Sequence, residues 1–530
     1  MIERYEIKNS FTTIKLIKRL LRVINKKTIF YIKILIFFQV LNGILEMLSI
    51  FSLVPFIQAI TNISILYENK YTNRIIEILS IKGEQNLILI STVVFISFIM
   101  LTNLFRISNL WLTNKIAAKI GSELSCNYYI NNLNQNYEEH INQNSSEIIA
   151  AINNYIIKTI DFIYSFLQLI SSFLISFLII LSLLIYSWQI TITSSIILCI
   201  FYLIIILFFK KRINKNSKLI VHYTNRQVKI IQESLGSIRD IILNNNHQNF
   251  LEIFKESDQI IRLRNAQNST ISGFPRFFME AIGVSLISII AFILIKLKLD
   301  SSYVFSTLGV LALGTQRILP AFQLIFYSWS SLQSSKEPTK KILDFLEKKL
   351  NIPKIRKRKN IFFNKSIIFK NVSFKYFGSK EESLSNISLT INKGEVIGII
   401  GETGGGKSTF SDLLMGLLIP TKGEILIDNI CINKNLEFIE SWRSKISHVP
   451  QNIFLLDDTF IKNIAFGELK DFVNFDRVKF SAHKSLLSKK IESLPKEYNT
   501  LIGEKGDKIS GGQKQRLGIA RAIYRNKEIL

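Results

Sequence analysis

The sequence predicts an α-helical polytopic membrane domain with six transmembrane helices, followed by a smaller α/β domain. Three observations lead to this fold class: six long apolar runs, an uneven distribution of glycine, and one glycine-rich loop between a strand and a helix. Of the 23 glycines, 8 lie before residue 360 and 15 lie after it. Glycine is needed where the backbone turns sharply or approaches another group closely. We therefore expect long uninterrupted helices first and a turn-rich domain last.

The apolar runs are long enough to cross a membrane. A bilayer core requires about 20 apolar residues in helical form. Six such runs in one chain make a soluble protein with buried helices a poor alternative, and the first run is too long for a signal peptide. The predicted spans are 34–61, 87–105, 162–186, 190–209, 274–295 and 303–327.

The net charge of +26 indicates membrane topology rather than a nucleic-acid partner. Residues 1–33 hold nine Lys and Arg, 210–272 hold eleven against five acids, and 336–360 hold ten against three. Basic residues concentrate on the cytoplasmic side of membrane proteins. We therefore place both termini and the polar stretches 106–161 and 210–273 in the cytoplasm. An apolar content of 48% excludes a disordered chain. Three cysteines are too few for a disulfide-stabilised fold, and their spacing does not match a zinc-binding motif.

Short helices are predicted between the spans. We expect one in each long cytoplasmic stretch, near Asn136–Asn144 and near Glu233–Ile241. The first outer loop has apolar residues at i, i+4, i+7 and i+8, which predicts an amphipathic helix lying on the membrane or packed on its neighbours. Its apolar positions are Tyr71, Ile75, Ile78 and Leu79.

Charged residues inside the predicted spans are candidates for a substrate pathway. A charge at the bilayer centre costs roughly 2.5–3.5 kcal/mol on insertion scales, so such residues normally face a cavity or a partner. The alternative is a structural ion pair or a side chain that reaches the membrane surface. The candidates are Glu46, Arg276, Glu280 and Arg317.

A phosphate-binding loop follows the membrane domain. Ile367–Tyr376 alternates as a strand should, and Glu395–Ile400 is predicted as a buried strand leading into Gly401–Ser408, which has the form G-x-x-x-x-G-K-S. Its backbone N–H groups can surround phosphate oxygens, with Lys407 reaching the β- and γ-phosphates and Ser408 binding Mg²⁺. The predicted phosphate-binding residues are Gly401, Glu402, Thr403, Gly404, Gly405, Gly406, Lys407, Ser408 and Thr409.

A second anion-binding element lies about 100 residues further on, at Ser510, Gly511, Gly512 and Gln513. A Ser followed by two Gly at a helix start offers a hydroxyl and N–H donors to an anion, although alone it could be an ordinary cap. The loop Gly401–Ser408 together with Ser510–Gln513 resembles the nucleotide-binding domain of an ABC transporter. Six spans before this domain resemble the exporter-type half-transporter layout.

The resemblance implies further roles. Tyr376 would stack on adenine, Gln451 would be the Q-loop glutamine that joins Ser408 at Mg²⁺, and Ser510–Gln513 would bind the ATP held by a partner chain. The cofactors would be ATP and Mg²⁺. The partner would be a second half-transporter, most simply an identical chain.

The membrane half resembles the lipid-linked oligosaccharide flippase branch of the family. The resemblance implies ATP-driven export or flipping of such a glycolipid across a bacterial plasma (inner) membrane. A peptide or hydrophobic compound is an alternative cargo, and a non-hydrolysing or truncated inactive subunit is an alternative function. The segments that carry the resemblance are Ile44–Met47, Pro55–Ile57, Asn144–Ile148, Pro275–Phe277 with Glu280, and Arg317 with Pro320.

The family's catalytic carboxylates and switch histidine are missing from the 530 residues, so the fold is predicted to be C-terminally incomplete. Ile529 and Leu530 would begin the strand that carries those carboxylates, and no catalytic residue is assigned here. We expect a fragment of a longer protein, or else a truncated gene product. The predicted domains are a basic N-terminal segment at 1–33, the membrane domain at 34–335, a basic linker at 336–364 and a partial nucleotide-binding domain at 365–530.

Overall fold

A computed structural model of the chain contains two units. It describes residues 13–61, 63, 66–67, 73–74, 76–77, 83–186, 188–296, 301–348 and 361–530. The first unit consists of Met1–Gln135 and Gln143–Leu350, and the second of Asn136–Asn142 and Asn351–Leu530. The four apolar positions of the amphipathic helix predicted in the first outer loop, Tyr71, Ile75, Ile78 and Leu79, lie outside the described residues.

Long helices dominate the first half of the chain. Glycines and prolines are few in these apolar sequences, and the helices continue through Pro275 and Pro320. Asparagine side chains cap the N-termini of two of the helices: Asn25 accepts from the Lys27 N–H and Asn144 from the Ser146 N–H. The helices are α1 (Thr13–Val23), α2 (Lys26–Phe51), α3 (Leu53–Thr61), α4 (Glu84–Leu133), α5 (Tyr137–Asn142), α6 (Ser145–Ala150), α7 (Ile156–Tyr186), α8 (Trp188–Gly236), α9 (Ile238–Leu243), α10 (His247–Lys296), α11 (Ser301–Ser334) and α12 (Lys336–Leu346), with a π-helical turn at Ala151–Tyr155.

Five of the predicted spans lie on helical stretches that are long and apolar enough to cross a membrane. The sixth prediction, 303–327, falls within α11. Short helices occur at both predicted cytoplasmic places, as α5 and α9, which confirms those two predictions. The five stretches are Lys26–Ile60, Glu84–Leu133, Ser145–Ile185, Thr191–Gly236 and His247–Lys296.

Helix α7 lies at the centre of the first unit and packs against both α2 and α11. On its outer sides, α4 packs against α2, and α10 packs against α11 and α8. A glycine permits the close approach of α2 and α7, because a Cβ at Gly43 would lie 2.5 Å from Leu178 Cδ1. The two largest buried apolar clusters among the described residues of the unit lie around α1, α2, α4 and α7 and around α7, α8, α10 and α11.

The predicted linker at 336–364 is partly helical. Its first residues form α12, which buries Ile342 and Leu343 within the first unit because the apolar positions repeat at helical spacing. Arg19 of α1 holds this helix through ion pairs with Asp344 and Glu347, both at 2.7 Å. The linker's basic run at 354–359 lies outside the described residues.

The second unit contains a four-stranded antiparallel sheet in the order β2-β1-β3-β4. Ile367 of β1 lies opposite Ile391 of β2 and Ile427 of β3, which fixes the register. The strands are β1 (Ser366–Phe374), β2 (Leu384–Asn392), β3 (Lys422–Ile427) and β4 (Ile430–Cys431), and the helices are α13 (Lys407–Leu414), α14 (Leu436–Arg443), α15 (Phe460–Ile464), α16 (Phe475–Lys484), α17 (Ser488–Glu492) and α18 (Gly511–Tyr524), with 3₁₀ turns at Lys470–Phe472, Glu497–Asn499 and Glu504–Gly506.

The prediction of a buried strand at Glu395–Ile400 is wrong. The segment has irregular backbone, and Val396 and Ile400 are 99% and 98% exposed. A buried strand needs neighbours on its edges to pair its backbone groups, and within 361–530 no strand pairs with this segment. The prediction for Ile367–Tyr376 is confirmed by β1, apart from its last two residues.

Candidate functional site

The glycine-rich loop Gly401–Gly406 runs directly into helix α13, which begins at Lys407. Gly404 and Gly406 have φ angles of +87° and +84°, a left-handed conformation that side chains rarely adopt. At Gly406 space is limiting as well, because a Cβ there would lie 2.6 Å from the backbone oxygen of Ser383. The loop therefore depends on glycine at this position for both its shape and its fit.

Replacing Gly406 with alanine should displace the loop. A left-handed conformation costs an L-residue about 1–2 kcal/mol, and the overlap with Ser383 adds to this, so we expect nucleotide binding to weaken by roughly tenfold or more. Titration of the purified chain with a fluorescent ATP analogue measures the change. Gly398→Ala is the matched control, since no atom lies within 4 Å of the point that a Cβ would occupy there and its φ is not positive. Equal effects from both variants would contradict the geometric argument.

Lys407 points back across the loop that precedes it. Its Nζ donates to the carbonyl oxygens of Gly401 and Glu402 at 2.8 and 2.6 Å. The following Ser408 is exposed, and Thr409 is buried beneath the loop. The loop thus presents an ammonium group, an exposed hydroxyl side chain and the N-terminus of a helix on one side, a combination suited to phosphate.

Tyr376 lies just after β1 and beside this loop. Its hydroxyl is 3.3 Å from Thr409 Oγ1, and its ring packs edge-on against Phe374 with centroids 4.8 Å apart. The aromatic side chain predicted to stack on adenine is therefore connected to the phosphate loop through α13.

Gln451 follows a short strand-like segment and is exposed. Ile446 forms a parallel bridge with Ile529, and the Ser447 N–H donates to the Ile529 carbonyl at 2.8 Å. Gln451 and Ser408, the two predicted Mg²⁺ ligands, both offer exposed side-chain oxygens, which suit this cation. Among the described residues, no group of three or more His, Cys, Asp and Glu side chains is placed to bind a metal.

Ser510 caps helix α18 in a reciprocal arrangement. Its hydroxyl accepts from the Gln513 N–H at 3.3 Å, while Gln513 Oε1 accepts from the Ser510 N–H at 3.0 Å. Gly511 and Gly512 are exposed, so the helix N-terminus is open to solvent. Helix α18 belongs to a different hydrophobic cluster from α13, and the two anion-binding elements thus lie on separate cores of the second unit.

The membrane unit contains a buried charge cluster. Glu46 of α2 is fully buried and accepts hydrogen bonds from Arg106 Nε of α4 and from Arg317 Nη1 of α11. The structure therefore brings together two of the four predicted pathway residues, Glu46 and Arg317. Sequence reasoning missed Arg106, which stands one residue beyond the predicted span 87–105 and resembles an ordinary basic flank.

A cavity of about 530 Å³ adjoins this cluster. Asn42 Oδ1 and Asn109 Oδ1 are buried, line the cavity and accept no hydrogen bond from the described residues. Buried polar atoms normally have a partner, so these acceptors indicate a site for hydroxyl or water donors. The polar lining includes Asn42, Asn103, Arg106, Asn109, Gln168 and Arg317.

The other two predicted pathway residues form a separate pair. Arg276 Nε lies 2.9 Å from Glu280 Oε1 on successive turns of α10, and the two side chains are 62% and 45% exposed. Neither residue lines the cavity beside Glu46. Their pairing is the local i, i+4 contact expected on one helix face.

Comparison with known protein families identifies the chain. The pattern of the ABC transporter transmembrane region matches residues 15–319, more than half of the sequence. The chain belongs to the ABC transporter family. The pattern described as ABC transporter also matches residues 384–530, which include the glycine-rich loop and Ser510–Gln513. This ABC transporter is accordingly an integral membrane protein with an ATP-binding domain, and that domain contains the glycine-rich loop.

Several relatives of this ABC transporter are known. It is 29% identical over 334 residues to an ATP-dependent lipid A-core flippase of Paraburkholderia xenovorans, covering 60% of this chain and 53% of the relative. A protein of the same name from Albidiferax ferrireducens is 41% identical over 164 residues, covering 31% of this chain and 28% of the relative. The chain therefore spans about half or less of the length of these relatives.

A solved structure shows the same fold. A bacterial Atm1-family ABC exporter with ATP bound superposes with a TM-score of 0.73 at 18% sequence identity, covering 95% of this chain and 85% of the exporter. The predicted fold class, a helical membrane domain followed by an ABC nucleotide-binding domain, is confirmed.

Proposed function

We propose that this ABC transporter uses ATP to move an anionic glycolipid, such as a lipid-linked oligosaccharide or a related lipid, across the bacterial inner membrane. The observation that carries the proposal is the cavity lined by Arg106 and Arg317, which both pair with a single buried carboxylate, Glu46. The names of two relatives, ATP-dependent lipid A-core flippase, support the cargo class.

The ATP-binding part of the proposal rests on the loop geometry. Lys407 and the N–H groups of Gly404–Ser408 would hold the phosphates, and Tyr376 would contact the base. Ser408 and Gln451 would bind Mg²⁺, which neutralises charge on the phosphates when present.

A second copy of the chain would complete the ATP site. Ser510–Gln513 presents an open helix N-terminus, and the N-terminal end of a helix favours an anion. We propose that it binds the ATP held by the partner, so that ATP joins two nucleotide-binding domains. ATP drives a conformational change only if it binds the joined and separate states unequally, and a site shared between two chains meets this condition. Both termini of each chain would lie in the cytoplasm.

Charge in the cavity favours an anionic headgroup. Two guanidinium groups and one carboxylate leave one positive charge beside the cavity, and an unbalanced charge that is partly removed from water is costly. A phosphate or carboxylate on the cargo would balance this charge. The unpartnered acceptors of Asn42 and Asn109 would receive sugar hydroxyl groups. An uncharged hydrophobic compound offers neither interaction.

Arg106→Gln should weaken binding of an anionic glycolipid by about tenfold, the effect of losing one charge-assisted hydrogen bond. Arg106 is the informative choice because Glu46 keeps Arg317 as a partner in this variant. Lipid A-type glycolipid binding to the chain in nanodiscs, measured by microscale thermophoresis, tests the expectation.

Arg276→Gln is the matched control for that experiment. Arg276 is a membrane-domain arginine paired with one carboxylate, but it does not line the cavity. A loss of binding confined to Arg276→Gln would move the pathway to α10 and refute the cavity as the cargo site. Undiminished binding of an uncharged hydrophobic compound, with no glycolipid binding, would favour the alternative cargo.

A further inference from the structure

Helix α5 belongs to the second unit although its neighbours in the chain do not. Residues Asn136–Asn142 group with Asn351–Leu530, whereas the segments on either side, ending at Gln135 and resuming at Gln143, group with the first unit. A six-residue helix has little stability of its own, so it needs contacts to hold its place.

The contact that holds α5 is made to the residue after Tyr376. Glu138 Oε1 accepts the backbone N–H of Phe377 at 2.9 Å, across 239 positions of sequence. The Phe377 side chain is 89% exposed, so packing does little to fix the backbone here. A hydrogen bond from a carboxylate is among the stronger ones available to a backbone N–H.

A second residue of α5 lies beside the same tyrosine. The pKa of Tyr137 is raised, first by partial burial and then by electrostatic interaction with Asp412 and Tyr376. Asp412 lies on α13, the helix that starts at Lys407, and burial raises the pKa of its carboxyl while the charge of His448 acts in the opposite direction. Tyr137 of α5 is therefore near both the Tyr376 side chain and the helix that follows the phosphate loop.

We propose that Glu138 is a positioning residue that sets the affinity for the nucleotide base by fixing the backbone next to Tyr376. The tyrosine is tethered on one side by Phe374 and by Thr409. On its other side the chain continues into the exposed turn at Phe377, where Glu138 supplies a fixed acceptor. Without the Glu138 carboxylate, the turn at Phe377 and the Tyr376 ring would sample more orientations. The base of the nucleotide would then lose contact with the ring, while the phosphates would stay bound to the loop.

The inference rests on the proposed function, since Tyr376 has a base to contact only if the loop binds a nucleotide. Two ligands distinguish binding of the base from binding of the phosphates. ATP carries a base and three phosphates, whereas inorganic tripolyphosphate carries only the phosphates. Calorimetric titration of the purified chain with each ligand in the presence of Mg²⁺ gives two dissociation constants. Their ratio reports the contribution of the nucleoside.

Glu138→Ala should weaken ATP binding roughly threefold to tenfold and leave tripolyphosphate binding within about twofold. Glu138→Gln should restore ATP affinity to near that of the unmodified chain, because the amide oxygen still accepts from the Phe377 N–H. Glu139→Ala is the matched control, being the adjacent, exposed carboxylate on the same helix.

Two results would overturn the inference while the proposed function stands. One is normal ATP binding by Glu138→Ala with an unchanged ratio of the ATP and tripolyphosphate dissociation constants. The other is an equal loss of affinity for both ligands, which indicates a general disturbance of the fold. Failure of the unmodified chain to bind either ligand would overturn the proposed function together with the inference, and it is visible before any substitution is made.

Discussion

Replacing Lys407 with alanine should weaken ATP binding to the chain roughly tenfold to a hundredfold and abolish ATP-driven transport by the intact transporter. The ammonium group now donates to the carbonyls of Gly401 and Glu402, which lie at the rim of the loop. Phosphate oxygens are stronger acceptors for this cation than neutral carbonyls, so the lysine would donate hydrogen bonds directly to the phosphates when ATP binds. Filter binding with labelled ATP and glycolipid translocation in vesicles measure the two effects.

Lys489→Ala is the matched control for Lys407→Ala. Lys489 is an exposed lysine on α17 of the same unit, so its removal changes the net charge equally and leaves the loop intact. Transport that survives Lys407→Ala would contradict the assigned mechanism. A similar drop in both variants would point to a general charge effect.

Glu46→Gln should destabilise the membrane unit by about 3 kcal/mol, the lower end of the range for breaking a buried ion pair. The substitution leaves Arg317, whose side chain is only 12% exposed, without its carboxylate. Arg106 adds less to the loss because its side chain is 43% exposed and can be hydrated. Thermal unfolding of the chain in detergent, followed by tryptophan fluorescence, should show a clear fall in the midpoint temperature.

The double variant Glu46→Gln with Arg317→Gln should recover much of that loss, because it removes both members of the buried pair. Glu280→Gln is the control, since its partner Arg276 is exposed and an exposed pair contributes about 0–1 kcal/mol. Equal shifts for the Glu46 and Glu280 single variants would show that burial of the cluster does not matter.

The features predicted best from the sequence are those that depend on neighbouring residues. The glycine-rich loop, the cap formed by Ser510 and Gln513, and the short helices α5 and α9 are each specified within about ten positions, by turn chemistry or helical spacing. In the structure, Gly406 adopts the left-handed conformation and Gln513 forms its half of the reciprocal cap. Local patterns carry this information because the backbone groups concerned are close in the chain.

Features that depend on distant partners were predicted less well. Arg106 meets Glu46 across 60 positions, and nothing near it in sequence distinguishes it from a basic flank. The apolar segment Glu395–Ile400 has the composition of a buried strand, but composition does not show whether a neighbouring strand lies beside it. Likewise, Arg276 satisfies its charge with Glu280 four residues away, although both were predicted to line the same pathway as Glu46.

The discontinuity of the second unit affects how it can be dissected. A soluble surrogate made by expressing the chain from residue 361 onward would lack Asn136–Asn142, and with it the acceptor for the Phe377 N–H. Such a surrogate would retain the phosphate loop but would hold its aromatic side chain loosely. Its affinity for ATP would then understate that of the membrane-embedded protein, and supplying the missing heptapeptide in trans should close part of the gap.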